Sequence, residues 1–256
     1  MTDWSSLDAE LECWAQAHMT LPLWWRDDDA VAPTPALARL SDLAGELGLP
    51  VHIAVIPARA TQALADTVGA NPHLIPLVHG WAHENHAPAG QKKAEFGKDR
   101  PTDMLAAHAA RARGRLMITF GDRLAQVFVP PWNRISEDLI PILPEIGFKA
   151  LSTFTPRSTR YAAPGLEQIN THLDPIDWKG TRGLVDPDRL ITQCADDLRA
   201  RREGRSDNTE PYGILTHHLV HDAAIWDFTG ALLARLLDGP AKVWNAQQHF
   251  AKDITT

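Results

Sequence analysis

Three consecutive aspartates, Asp27, Asp28 and Asp29, end the apolar stretch LWWRDDDA, and two histidines, His79 and His83, follow the apolar run LIPLV in LIPLVHGWAH. Adjacent carboxylates repel one another unless a proton or a cation separates them. Two imidazoles four residues apart share one face on a helical turn and can bind one ion. A metal held by two imidazoles and one carboxylate, with positions left for water, is the catalytic pattern rather than the structural one. The cluster therefore predicts a catalytic divalent-metal site. His86, beside Ala87 and Pro88, reads as a surface histidine.

The aspartates also have a purely structural reading, as N-cap and first-turn acids of the helix that DDDAVAPTPAL leads into. Pro33 and Pro35 delay that helix, and Thr34 is the more natural cap.

Three further stretches follow apolar runs. VFVPPWN (127–133) stiffens a loop with two prolines and offers Trp132. LDPIDW (173–178) sets Asp174 and Asp177 beside Trp178, and ILTHHLVHD (214–222) supplies His217 and His218. His217 is read as a site residue and His218 as a buried, hydrogen-bonded histidine.

The elements that must position these residues alternate. Candidate strands lie at 22–26, 51–56, 74–78, 126–129, 149–153, 168–173, 213–217 and 242–245. Candidate helices lie at 34–48, 60–70, 103–120, 136–147, 188–203 and 222–238. The fifth strand lacks a helix of its own. Such alternation predicts an α/β fold with a parallel sheet, either a barrel or an open doubly wound sheet. No GxGxxG or GxxxxGK[ST] follows the first strand, so the nucleotide-binding versions of the open sheet lose support. No linker divides the chain, and residues 1–256 are read as a single domain. The polar stretch 199–213 reads as a solvated helix end and loop.

Composition narrows the partners. Apolar residues make up 44% and charged residues 22%, enough apolar content for a sizeable core. The net charge of −7, with no Lys/Arg stripe, argues against nucleic acid. No run of 18 apolar residues occurs, and the N-terminal stretch lacks a basic segment followed by an apolar one, so a cytoplasmic protein without a membrane span is expected. Cys13 and Cys194 lack CxxC spacing and read as reduced, partly buried thiols.

In order and spacing, RDDDA, HGWAH, VPPWN, DPIDW and LTH resemble the five motifs of the polysaccharide deacetylase family, the NodB-homology or family 4 carbohydrate esterases. The family patterns are TFDDG, H[S/T]xxH, RxPxG, an Asp-rich stretch with Trp, and LxH. The resemblance implies a distorted (β/α) barrel of seven or eight strands, and one divalent ion, often zinc, with cobalt or nickel as alternatives. It implies His79, His83 and one aspartate as ligands, the preceding aspartate as general base, and His217 as general acid. Matching Arg26 to the family Thr makes Asp28 the base and Asp29 the ligand, with small Ala30 in the glycine position. A shift by one gives Asp27 and Asp28 instead.

The chain departs from the family at Val129, where an arginine orients the catalytic aspartate. Arg26 and Arg134 are the candidate substitutes. Asp174 and Asp177 with Trp178 are expected to orient the histidine and line an acetyl pocket. Trp81, Pro131, Trp132 and Asn133 are expected on the substrate side, the two tryptophans as sugar-stacking faces. The implied activity is removal of an acetyl group from an N-acetylated amino sugar or related amide, with a small molecule or glycan as substrate. Two alternatives stay open: a metal-independent amidase of cyclic ureides on the same fold, and a non-catalytic carbohydrate-binding protein.

Overall fold

The computed structural model describes residues 2–251. In chain order its elements are α1 (Ser5–Gln16), β1 (Leu21–Ala30), α2 (Pro35–Leu47), β2 (Val51–Val55), α3 (Gln62–Ala70), β3 (Leu74–His79), α4 (Thr102–Phe120), β4 (Val127–Val129), α5 (Leu143–Ile146), β5 (Ala150–Leu151), β6 (Tyr161–Ala163), β7 (Leu166–Gln168), α6 (Pro187–Arg202), β8 (Tyr212–Thr216), α7 (Ala223–Asp238), β9 (Ala241–Val243) and α8 (Ala246–Ala251). Helices and strands alternate in one α/β sheet of order β6-β7-β5-β4-β3-β2-β1-β8, with β9 paired to the start of β1. Every pairing is parallel except β6 with β7.

The period-2 alternation of the strands sorts their side chains onto two faces. On β1, Leu23 and Trp25 join the large apolar cluster shared with helix residues such as Leu40, Leu64, Leu105 and Leu232. Trp24 belongs to a small cluster built mainly from strands, with Ala54, Ile75, Leu77, Val127, Val129, Ala150 and Ile169. One face of the sheet therefore carries most of the helices, and the other carries the smaller cluster. Both buried tryptophans satisfy their ring N–H groups, Trp25 on Thr216 Oγ1 and Trp24 on the Asn170 carbonyl.

Where β7 ends, the chain stays extended in its pairing. The N–H groups of Ile169 and Thr171 donate to the carbonyls of Leu151 and Thr153, and His172 N–H donates to Gly213 O. Leu215 N–H in turn donates to Leu173 O. Residues 169–173 thus hydrogen-bond towards β5 on one side and β8 on the other.

Local chemistry explains where elements start and stop. Thr34 caps α2 by accepting from Leu37 N–H at 3.0 Å, with Pro35 in the first turn. Asp186 and Asp222 cap α6 and α7 in the same way. The aspartates of β1 are strand residues and cap nothing.

The helix expected at 136–147 survives only as a 3-10 turn, Ile140–Ile142, and the single turn α5. Pro141 and Pro144 lack the N–H groups a continuous helix needs there. After the fifth strand the β6–β7 hairpin stands where a helix is missing. The expected strand 168–173 is β7 followed by isolated pairings at Thr171 and Leu173. Helices α1 and α8 were not expected from the sequence. Among the described residues no helix is long and apolar enough to cross a membrane. Both cysteines are free thiols, and burial pushes that of Cys194 up to about 12, which leaves it inert.

Candidate metal centre

Alternation along β1 separates the three aspartates. Asp27 shares the face of Trp25 and is fully buried. Its carboxylate accepts from Thr216 Oγ1 at 2.6 Å, from His218 N–H at 2.9 Å and from His218 Nδ1 at 2.5 Å. Burial pushes the Asp27 carboxyl up, but the His218 charge and hydrogen bonds outweigh it and hold it below the usual range. His218 is raised in turn, because Asp27 outweighs the burial that would lower it. Asp27, a catalytic candidate from the sequence, is thus the buried partner of His218, on the face opposite Arg26 and Asp28.

Asp28 faces the interior. Arg26, two residues earlier on the same face, grips it through Nε to Oδ1 at 2.9 Å and Nη2 to Oδ2 at 3.0 Å. The same guanidinium donates to Ser152 Oγ at 2.7 Å, Thr153 O at 3.2 Å and Asn133 Oδ1 at 2.7 Å. Val129 sits in the inner apolar cluster, so the charge absent from β4 enters the interior from β1. Arg134, the other candidate, donates instead to the carbonyl of Lys93.

Asp29 breaks the alternation. The register of β1 against β2 shifts between Asp27 and Ala30, and Asp29 adopts φ 76°. This irregularity turns its carboxylate towards the end of β3, where Oδ1 lies 3.3 Å from Nε2 of both His79 and His83. The three ligand atoms all lie within 4.8 Å of one another.

This donor set fits a divalent cation. His79 Nδ1 lies 3.0 Å from the Val129 carbonyl, which can only accept, so Nδ1 carries a proton and Nε2 is the nitrogen left to hold an ion. Asp29 Oδ1 is buried and makes no hydrogen bond. A buried carboxylate oxygen facing imidazole nitrogens is costly without a cation between them. Burial pushes Asp29 up, but the His79, His217 and His83 imidazoles outweigh it and hold it well below the usual carboxylate range. Against burial, Asp28 and Asp29 raise His79, whereas burial and the His79 charge lower His83.

The two histidines do not share a helical turn, as their spacing predicted. Gly80 and His83 have φ of 53° and 59°, and a buried carboxylate, Glu95, shapes the loop between them. Glu95 accepts from the N–H groups of Trp81, Ala82 and His83. Sequence reading missed Glu95, which lies in a polar loop without recognisable periodicity.

His217 follows β8. Its Nδ1 is buried without a hydrogen-bond partner, and the edge-on ring of Trp178 lies 4.7 Å away. Trp178 Nε1 donates to Asp174 Oδ2 at 2.7 Å, and burial raises the Asp174 carboxyl above its ordinary range. His217, Trp178 and Asp174 thus come together. Asp177 does not join them: its oxygens accept from Gly180 and Thr181 N–H and close a turn. His221, also missed, accepts from the His217 N–H through Nε2, and burial pushes it down to about 4.

The expected substrate residues divide. Trp132, at φ 57°, lays its ring 4.3 Å from that of His83, and Pro131 is buried against Gly80. Asn133 spends its carbonyl oxygen on Arg26. Trp81 lies under the Arg111 guanidinium at 4.1 Å and against the apolar core, so that face is not free for a sugar. Trp178 is 41% exposed and has the open ring.

No family model matches this chain, and no curated protein does. Solved structures match it over most of its length. A Mycobacterium smegmatis protein, provisionally named a polysaccharide deacetylase, is 17% identical with a TM-score of 0.62, covering 93% of this chain and 92% of its own. A family 4 carbohydrate esterase from Streptomyces lividans in complex with acetate is 13% identical with a TM-score of 0.53, covering 88% and 92%. A family 4 pseudoenzyme from Bacillus anthracis is 12% identical with a TM-score of 0.54, covering 86% of this chain and 61% of its own. The chain has the fold of these proteins.

Proposed function

We propose that this chain is a metal-dependent hydrolase that removes an acetyl group from an N-acetylated amino sugar or a related amide, on a distorted (β/α) barrel joined through residues 169–173. The observation that carries the reading is one juxtaposition: the Asp29–His79–His83 donor set sits beside Asp28, a carboxylate clamped by a buried guanidinium. The fold alone would not carry it, because a pseudoenzyme shares that fold.

Asp29, His79 and His83 would hold the ion, and one carboxylate with two imidazoles suits zinc, with cobalt or nickel as substitutes. A divalent ion bound there would polarise the amide carbonyl and acidify water. Asp28 takes the proton of the attacking water, with Arg26 fixing its position. The new C–O bond forms at the acetyl carbon, the C–N bond breaks, and His217 gives a proton to the departing nitrogen. Trp178 holds the His217 ring edge-on and offers its exposed face to the rest of the substrate. A missing orienting charge at Val129 would favour a binding-only protein, and Arg26 supplies a charge to Asp28 in its place. The complete donor set favours metal over the metal-independent amidase.

The test is acetate release from a panel of N-acetylated amino sugars and simple N-acetyl amides, using zinc-loaded wild type, Asp28→Asn and His217→Asn. Release by wild type that both variants lose supports the reading. Metal-loaded wild type inactive on the whole panel, or undiminished activity in Asp28→Asn, contradicts it.

A further inference from the structure

The spacing of His79 and His83 does not by itself bring their rings together, because the residues between them form no helical turn. Four consecutive backbone N–H groups in this loop are instead tied down. Gly80 N–H donates to the Val129 carbonyl at 3.0 Å. Those of Trp81, Ala82 and His83 donate to one carboxylate, Glu95, at 3.1, 2.7 and 3.2 Å. Successive N–H groups converging on one anion form a backbone nest, and the occupant here is a side chain of the same chain.

Glu95 is fully buried, so its charge needs those three donors, and the loop needs the charge. The close approach also fixes the residue at position 80. At φ 53°, a Cβ on Gly80 would stand 2.3 Å from Glu95 Oε2 and 2.5 Å from Pro131 Cδ. Arg100 Nη1 anchors Glu95 from behind through its carbonyl, at 3.0 Å.

We propose that Glu95 is a positioning residue for the metal: its carboxylate, seated in the Trp81–His83 nest, sets the loop conformation that turns His83 onto the ion held by Asp29 and His79. The inference rests on the metal reading above and adds a determinant twelve residues beyond the second ligand. Glu95 touches neither ion nor substrate. It acts through the His83 backbone, and its negative charge near the site favours a cation there.

The experiment measures zinc affinity by competition with a chromophoric chelator, and the visible d–d spectrum of the cobalt form, for wild type, Glu95→Gln and Glu95→Asp. Glutamine keeps the shape but turns one acceptor into a donor facing N–H groups; aspartate keeps the charge but falls short by one methylene. Zinc affinity should fall by about 10- to 100-fold in Glu95→Gln, with an altered cobalt spectrum. Glu95→Asp should fall between it and wild type. Melting of the metal-free proteins separates ligand positioning from general folding. Wild-type affinity and cobalt spectrum in both variants overturn the inference, even if the variants melt lower. Should Glu95→Gln not fold, Glu95→Asp with wild-type affinity and spectrum overturns it alone. Wild type that takes up neither zinc nor cobalt overturns the metal reading, and this inference with it.

Discussion

Arg26 and Asp28 stand two residues apart on one strand and form a buried ion pair, with both Asp28 oxygens facing the guanidinium at 2.9 and 3.0 Å. Residues i and i+2 of a strand share a face, so the base candidate and its clamp arrive together from β1. Replacing Arg26 with methionine should leave Asp28 buried and uncompensated, at a cost of about 3–5 kcal/mol in stability. Turnover should fall while zinc stays bound, because Asp29, His79 and His83 are untouched. Arg134→Ala should do neither. Urea unfolding, metal content and acetate release separate the three effects.

The three aspartates should fail in three different ways. Asp29→Asn should lose the metal, because its carboxylate is a ligand. Asp28→Asn should keep metal and lose turnover, with a loss of stability softened because Arg26 still donates to Ser152, Thr153 and Asn133. Asp27→Asn should keep the ligand set but lose about 3–5 kcal/mol of stability, since it leaves His218 buried without its counter-charge. Metal content, activity and denaturant midpoints of the three variants check this pattern, and a metal-free Asp27→Asn would contradict it.

The apolar runs of the sequence placed strands β1 to β5, β8 and β9 and most helices. Its period-2 alternation also separated two of the three aspartates. Trp25 and Asp27 lie on one face and Arg26 and Asp28 do not, so Asp27 belongs with the helix layer. What alternation could not supply was Asp29, whose direction depends on a register shift and a positive φ that no residue type announces. His79 and His83 were legible as a pair but not as a loop, because their geometry is set by Glu95 from a stretch without periodicity. Arg134 and Asp177 were plausible by adjacency alone. Tertiary contacts decide such long or turn-forming side chains, and both are used on backbone groups elsewhere.

Gly80→Ala tests the tightness of the ligand loop without removing any polar group. Its Cβ would meet Glu95 Oε2 at 2.3 Å and Pro131 at 2.5 Å, in a backbone conformation that disfavours side chains. Zinc affinity and melting temperature should both fall. Gly48→Ala is the control: it has similar φ, 61°, with nothing within 4 Å, so it should cost only the modest strain of a left-handed alanine.

His52 predicts part of the response to acid. It lies fully buried beneath Trp24, donates through Nδ1 to the Trp25 carbonyl and accepts the Ala246 N–H at Nε2, so the neutral ring uses both nitrogens. Burial pushes it down to about 4, from an ordinary 6.5. Between these values the unfolded chain binds a proton that the folded chain does not, so stability falls as pH drops from 6.5 towards 4. The loss is on the order of 3 kcal/mol over that window. The Asp27–His218 pair acts in the other sense at higher pH: its His218 contribution is full below 6.5 and is lost as pH rises through the raised value. Urea unfolding of wild type and His52→Gln at pH 7 and pH 5 isolates the first term. The variant should lose less stability than wild type on acidification.

Metal content tests the account most directly. Purified wild type and the His79→Ala/His83→Ala double variant, each equilibrated with zinc and freed of excess, would be compared by mass spectrometry. About one divalent ion per chain in wild type and none in the variant is the predicted result. Wild type that retains no ion after exposure to zinc, cobalt or nickel would contradict the account, and so would a double variant that binds as well as wild type.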